Sequence, residues 1–256
     1  MAFALTLSVV KKTAPLKNLL RDEAIPALTA MRPYFSLGAV RKEVAARKLT
    51  MTDSTLLNYL QELVRLGLIY DAGRGWYSTL AKPLVLDREE VSPVVTLISK
   101  AFPLLGFSVW STQQINPWMH HLLGKFVTLV HVEAEGVASV WELLRDEGYN
   151  AYLKPGRREA KTFAVRNKTV IVRVGNPAQA PVDGHYALPE KVLVDLADEI
   201  TALPLMDPAE FTGLFLSVSQ EGRLDMAAMV RYAKRKRLAG RFLKVIDSIV
   251  SQKRVS

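Results

Sequence analysis

Two sets of side chains in this sequence have the type and spacing for chemistry. The first is titratable. Asp146 precedes Glu159-Ala160-Lys161, which leads into a stretch with strand character. A carboxylate followed by Glu-x-Lys on a strand can hold a divalent ion and activate water for hydrolysis of a nucleic acid. The motif is short and frequent by chance, and it adjoins Arg157-Arg158 in what reads as a loop. His120 and His121 are adjacent on an expected helix and point to different sides, which is poor spacing for two metal ligands. His131 lies inside an apolar strand and reads as a core or sheet-face histidine with its hydrogen bonds satisfied. With no cysteine in the chain, disulfides, thiolate metal sites and a cysteine nucleophile are excluded. Gly73-Arg74-Gly75 does not continue as a dinucleotide fingerprint, and Lys154-Pro155-Gly156-Arg157-Arg158 is no P-loop. No serine stands in a nucleophile-elbow context. The expectation is therefore a protein that is not an enzyme, with no catalytic residue, no metal and no cofactor.

The second set is polar and cationic. Ser54, Thr55, Asn58 and Gln61 recur at helical spacing near the start of a strongly amphipathic segment, with Arg65 towards its far end. On a helix lying in a major groove such side chains meet base edges. Asn pairs with adenine through two hydrogen bonds, whereas Ser and Thr are less selective. Arg74 sits in a Gly-flanked turn from which it would reach phosphate or the minor groove. Arg41, Lys42, Arg47 and Lys48 would hold the backbone and set register without reading sequence. A second cationic run, Arg231, Lys234, Arg235, Lys236, Arg237 and Arg241, would touch DNA or an acidic protein face, or simply be solvated.

The elements that must position these residues follow from periodicity. Leu16 to Met31 has near-helical apolar spacing, with a break expected at Pro26. Ser36 stands as an N-cap before a helix from Leu37 to Arg47. Thr52, Asp53 and Ser54 are good caps for the next helix, which buries Leu56, Leu57, Leu60, Leu63 and Val64 and ends at Gly67. Leu68-Ile69-Tyr70 and Trp76-Tyr77-Ser78-Thr79 flank a Gly-containing turn and read as a hairpin. Helix, turn, helix, hairpin is the order of a winged helix-turn-helix, expected over residues 1–80. Residues 81–92 read as a linker. Residues 93–256 alternate between helix and strand and end in helices, an α/β (α+β) domain. In it, strands are expected at Phe107–Trp110, Phe126–Val132, Ala151–Leu153, Thr162–Val165 and Thr169–Val174. Helices are expected from Ser111 or Thr112 to Leu123 and from Val137 to Glu147, and three or four more over 189–250.

Composition sets outer bounds. At 256 residues the chain suits two domains. Its net charge of +9 is uneven: residues 1–80 carry +5, 81–219 carry −3 and 220–256 carry +7. Basic ends suit a polyanion. No apolar run reaches the ~18 residues of a membrane span. Met1 to Val10 is apolar, but Lys11-Lys12 follows it instead of preceding it and no small-residue cleavage site comes after, so it reads as a short strand or helix of the mature protein. A cytoplasmic location is the expectation.

Four phrases in order after the winged helix carry a resemblance. They are Phe107-Ser108-Val109-Trp110-Ser111-Thr112, Gly124-Lys125-Phe126-Val127-Thr128-Leu129-Val130, Leu188-Pro189-Glu190-Lys191-Val192-Leu193-Val194-Asp195-Leu196, and Met229-Val230-Arg231-Tyr232-Ala233-Lys234-Arg235-Lys236. With Leu63-Val64-Arg65-Leu66-Gly67-Leu68-Ile69 they resemble the AbiEi family of bacterial antitoxins. The resemblance implies a winged helix that represses its own operon at inverted repeats and a C-terminal domain that neutralises a nucleotidyltransferase-like toxin. A monomer or weak dimer that pairs on DNA is the expectation. Two other readings stand beside it: a DNA-binding, metal-dependent nuclease, and a transcription regulator whose α/β domain senses a ligand. Glu190 and Asp195 read as structural residues in the first turns of a helix.

Overall fold

The computed structural model describes residues 16–30, 32–238, 240 and 242. The Met1–Val10 run and Arg241 lie outside the described residues. The fold is mixed α and β, with one three-stranded and one six-stranded sheet.

The chain begins with α1 (Leu16–Leu19), a π-turn (Leu20–Ala24) and α2 (Ile25–Thr29). The break expected at Pro26 does not occur. A proline ring clashes with the carbonyl one α-turn back, and here the helix widens just before it, the Ile25 N–H reaching Leu20 O. Then come β1 (Tyr34–Ser36), α3 (Leu37–Ala46) and α4 (Asp53–Arg65). Ser36 Oγ caps α3 by accepting from Ala39 N–H at 3.1 Å, and Thr52 Oγ1 caps α4 by accepting from Thr55 N–H at 3.2 Å. Gly67, at φ +69°, turns the chain out of α4, where a side chain would be strained. The hairpin β2 (Tyr70–Asp71) and β3 (Trp76–Ser78) follows, and β1 pairs antiparallel with β3 to complete a sheet ordered β1-β3-β2. Leu20, Val40, Val44, Leu56, Leu60, Leu63 and Ile69 form one core beneath it.

Residues 81–92 are not a free linker. Leu84 N–H donates to Arg223 O at 3.0 Å and Arg223 N–H to Lys82 O at 2.8 Å, and Leu86 and Val91 are buried. The segment is fixed by a partner some 140 residues away, which no local pattern announces.

The second sheet is built from α5 (Ser92–Ala101), β4 (Phe107–Ser111), α6 (Thr112–Ile115), β5 (Val127–Val132), α7 (Val137–Asp146), β6 (Asn150–Leu153), β7 (Thr169–Val174), β8 (Val182–Asp183) and β9 (Tyr186–Ala187). Helices α8 (Pro189–Glu199), α9 (Pro208–Glu221) and α10 (Met226–Arg235) complete the chain. The strand order is β6-β7-β5-β4-β9-β8, with β5, β6 and β7 parallel and β4 antiparallel to β5. Alternation assigns each strand's two faces. Phe107, Val109, Val130, Val132, Val170 and Val172 pack under α5 and α7, while Trp110, Leu129 and Ile171 pack under the C-terminal helices.

Two expected elements differ. The helix after Ser111 stops at Ile115 instead of Leu123, because Asn116-Pro117 follows and forms a 3-10 turn. Residues 162–165 are not a strand: the preceding Glu159–Lys161 is itself a 3-10 turn.

Candidate nucleic-acid interface and the buried seam behind it

Helix α4 presents one continuous polar stripe. Ser54, Asn58, Gln61 and Arg65 are exposed, while Leu56, Leu60 and Leu63 are buried on the opposite side. The Ser54 and Thr55 hydroxyls each lie 2.9 Å from Thr52 Oγ1, so both belong to the cap, and Thr55 is half-buried. Asn58 and Gln61 have no hydrogen-bond partner among the described residues and keep all their donors and acceptors free.

The cations expected around the stripe divide into two kinds. Arg41 forms a two-pronged pair with Asp53 (3.0 and 2.9 Å), fixing α3 to the first turn of α4. Arg47 is held by Glu43 and by Glu23. These exposed pairs stabilise by at most about 1 kcal/mol each, little enough for a phosphate to exchange with the carboxylate. Lys42, Lys48, Arg65 and Arg74 are exposed and carry no ion pair among the described residues. Arg74 stands at the wing tip between Gly73 (φ +94°) and Gly75 (φ +77°).

The wing is anchored from behind. Met226 N–H donates to Ala72 O at 2.8 Å, and the Arg223 guanidinium lies over the Tyr70 ring, 5.3 Å from its centroid. A Cβ on Gly73 would collide with the Asp225 carboxylate and lie 2.7 Å from Ala227 Cβ. Glu190 Oε1 accepts from Asp225 N–H at 2.6 Å. Burial pushes the Glu190 carboxyl up, against the hydrogen bond from Asp225. Glu190 is thus structural, as expected, and what it holds is the segment that supports the wing.

Helix α10 starts at that anchor. Arg231, Lys234, Arg235 and Arg237 are exposed. Lys236 departs from the expected surface run: its Nζ binds Asp195 at 3.1 Å and Asp198 at 2.9 Å. Arg241 lies outside the described residues.

Behind α10 runs a polar seam that sequence reasoning missed. Ser108, His131 and Arg173 are paired across β4, β5 and β7. They face Lys191, Asp195 and Glu199, spaced four apart along α8 and all buried. Arg173 Nε donates to Glu199 at 2.8 Å. Asp195 accepts from Lys191 and, at 2.8 Å, from the Tyr232 hydroxyl. Burial works against the Asp195 charge, but His131, Lys191 and Lys236 hold its carboxyl far below the usual range. Burial likewise pulls Lys191 down and pushes Tyr232 up. His131 does not match its expectation of a satisfied histidine. Its Nε2 is 3.6 Å from Asp195, neither ring nitrogen has a hydrogen-bond partner among the described residues, and burial drives its pKa down to about 3.

The titratable motif does not assemble. Glu159 accepts from Gly156 N–H at 2.9 Å within its own turn, and this hydrogen bond holds its carboxyl below the usual range. Among the described residues no group of three His, Asp or Glu is placed to hold a metal ion, and no helix is long and apolar enough to cross a membrane.

Comparison with curated proteins gives no match. A family model described as a family of unknown function (DUF6577) matches residues 55–252. The matched residues include Asn58, Gln61 and Arg65 of the α4 stripe, the wing, the six-stranded sheet and α8 to α10, but not Ser54. On this match the chain belongs to the family of unknown function DUF6577.

Proposed function

We propose that this protein is a double-stranded DNA-binding autorepressor, and that it is the antitoxin of a cytoplasmic toxin–antitoxin pair whose toxin is nucleotidyltransferase-like. The observation that carries the DNA-binding half is the exposed stripe of Ser54, Asn58, Gln61 and Arg65 beside a wing tipped by Arg74. The stripe would read base edges in the major groove while Arg74, Lys42 and Lys48 hold phosphate. Helix α10 begins at the wing, and on this reading its exposed Arg231, Lys234 and Arg235 add cationic contacts to the same duplex. Two chains would pair on an inverted repeat. The antitoxin half rests on the ordered resemblance of the four phrases to the AbiEi family.

Two arms test this. Specific retardation of DNA from upstream of the gene tests repression. Co-expression with the neighbouring gene product tests neutralisation: growth is restored if the proposal holds and remains arrested if it does not. No observation favours nuclease chemistry, since Glu159 and Lys161 lie in a 3-10 turn.

A further inference from the structure

A cleft of about 460 Å³ lies at the amino ends of the parallel strands β5 and β7, large enough for a small molecule. Strand register brings its parts together. Val127 pairs with Thr169, so Lys125-Phe126 and Arg166-Asn167-Lys168, which lead into these two strands, lie side by side. Ser111, at the carboxyl end of β4, pairs with Thr128 and brings Gln113 to the same cleft. Asn150 also pairs with Thr169, which sets Tyr149 in the wall.

The cleft is cationic in a stretch of chain that is otherwise acidic. Residues 81–219 carry a net charge of −3, yet the lining holds Lys125, Arg166 and Lys168 against one carboxylate, Glu90. All three cations are exposed, and none has an ion pair among the described residues. Each lysine offers three N–H groups and Arg166 five, against about four acceptor sites on Glu90. The side-chain amides of Gln113 and Asn167 have no partner among the described residues either. Two of the cations stand on a turn that is fixed before any ligand arrives. The buried Thr169 hydroxyl accepts from Arg166 N–H at 2.7 Å and donates to Arg166 O at 2.9 Å, and Asn150 N–H donates to Lys168 O at 3.0 Å. Lys168 takes φ +55°, a conformation that glycine or asparagine adopts more readily. Its Nζ lies 5.5 Å from the centre of the Tyr149 ring. Donors held in this way lose little freedom on binding. Phe126 and Tyr149, both half-buried, add apolar surface beside them.

We infer that this cleft binds the terminal phosphate of a nucleotide, with Lys125, Arg166 and Lys168 around the phosphate oxygens and Phe126 and Tyr149 against the body of the ligand. Three cations offset by one carboxylate match a phosphate monoester, which carries about −1.5 to −2 at neutral pH, better than a singly charged carboxylate or phosphodiester. The same group occurs on a free mononucleotide and at the phosphorylated end of a nucleic-acid strand. The site uses no residue of the α4 stripe or the wing, so it does not rest on the DNA-binding reading.

The test is NMR of the ¹⁵N-labelled full chain, following the backbone amides of Lys125, Asn167 and Lys168, with those of Asn58 and Gln61 as a control for binding at α4. Adenosine monophosphate, adenosine, a 5′-phosphorylated pentaadenylate and sodium chloride are titrated separately at matched ionic strength. The expected result is a saturable shift of the cleft amides with adenosine monophosphate, half-complete below about 1 mM, and none with adenosine or chloride. Tighter binding of the pentaadenylate would assign the phosphate to a strand end, and weaker binding to a free nucleotide. Lys125→Gln and Arg166→Gln, both at exposed positions, are each expected to weaken binding about tenfold, the loss of one charge-assisted hydrogen bond. Shifts that rise linearly and equally for all four additions would overturn the inference. So would equal affinity for adenosine and its monophosphate, or unchanged affinity in both variants.

Discussion

The Tyr34 hydroxyl donates to the Gly222 carbonyl at 2.8 Å across 188 residues of sequence, and accepts from Leu224 N–H at the same distance. Tyr34 belongs to β1 of the winged helix, and Gly222 to the turn between α9 and α10. The two halves of the chain are therefore joined by a buried, doubly satisfied hydroxyl, and burial pushes its pKa up to about 12.

Tyr34→Phe removes that bridge and strands two buried backbone groups. The expected loss is about 1–3 kcal/mol of unfolding free energy, read by chemical denaturation. A variant as stable as the parent would mean that the join contributes nothing.

Gly73→Val tests the wing anchor. A side chain there collides with Asp225 and must adopt φ near +94°. It is expected to lift the wing from α10 and to raise amide exchange at Ala72 and Met226, while the core amides of Leu56 and Leu60 stay protected. Equal protection at Met226 in both proteins would contradict this.

Asp195→Ala leaves Lys191 buried without its counter-charge and takes a partner from Lys236. Breaking a buried pair in this way costs about 3–5 kcal/mol. Lys191→Met is expected to cost less, because Asp195 keeps Lys236 and Tyr232. Thermal unfolding of the two variants ranks them.

His131 gives stability a pH slope. Its folded pKa, about 3, lies below the unfolded value of 6.5, so the unfolded chain takes up the proton first. This contribution is whole above pH 6.5 and is lost as pH falls towards 3, at a rate approaching about 1.4 kcal/mol per unit. Denaturation at pH 7, 6 and 5 should show a steeper decline for the parent than for His131→Gln. Parallel declines would mean that the fold does not lower the His131 pKa, and a shallower decline for the parent would mean that His131 is protonated in the fold.

The stripe and the wing separate by what they read. Asn58→Ala is expected to lose about 1–3 kcal/mol on the preferred DNA and little on other sequences. Arg74→Ala should weaken all DNA alike and reduce the slope of log affinity against log salt by about 1. Anisotropy titrations on two fragments at several salt concentrations distinguish the two patterns.

What was legible in the sequence was local. Helix α4 was readable because its cap, Thr52, its four-residue apolar spacing and its stop, Gly67, lie within sixteen residues. Strand β1 was not: three residues after Pro33 extend only because β3, some forty residues on, pairs with them. The packed segment at 81–92 was hidden for the same reason, its partner being Arg223. The seam did leave a trace. Lys191, Asp195 and Glu199 stand four apart among apolar residues, too many charges for a buried helix face, and Ser108, His131 and Arg173 interrupt one face of three apolar strands. Each alone resembles an ordinary polar residue, and only the strand order brings them together.

The most direct test of DNA recognition is a mobility shift of the full chain on DNA from upstream of its own gene, against an unrelated fragment, at two salt concentrations. The account predicts preferential retardation of the upstream fragment that weakens as salt rises. Equal affinity for both fragments, or no binding at either salt, would contradict it and leave the winged helix as a protein-binding module.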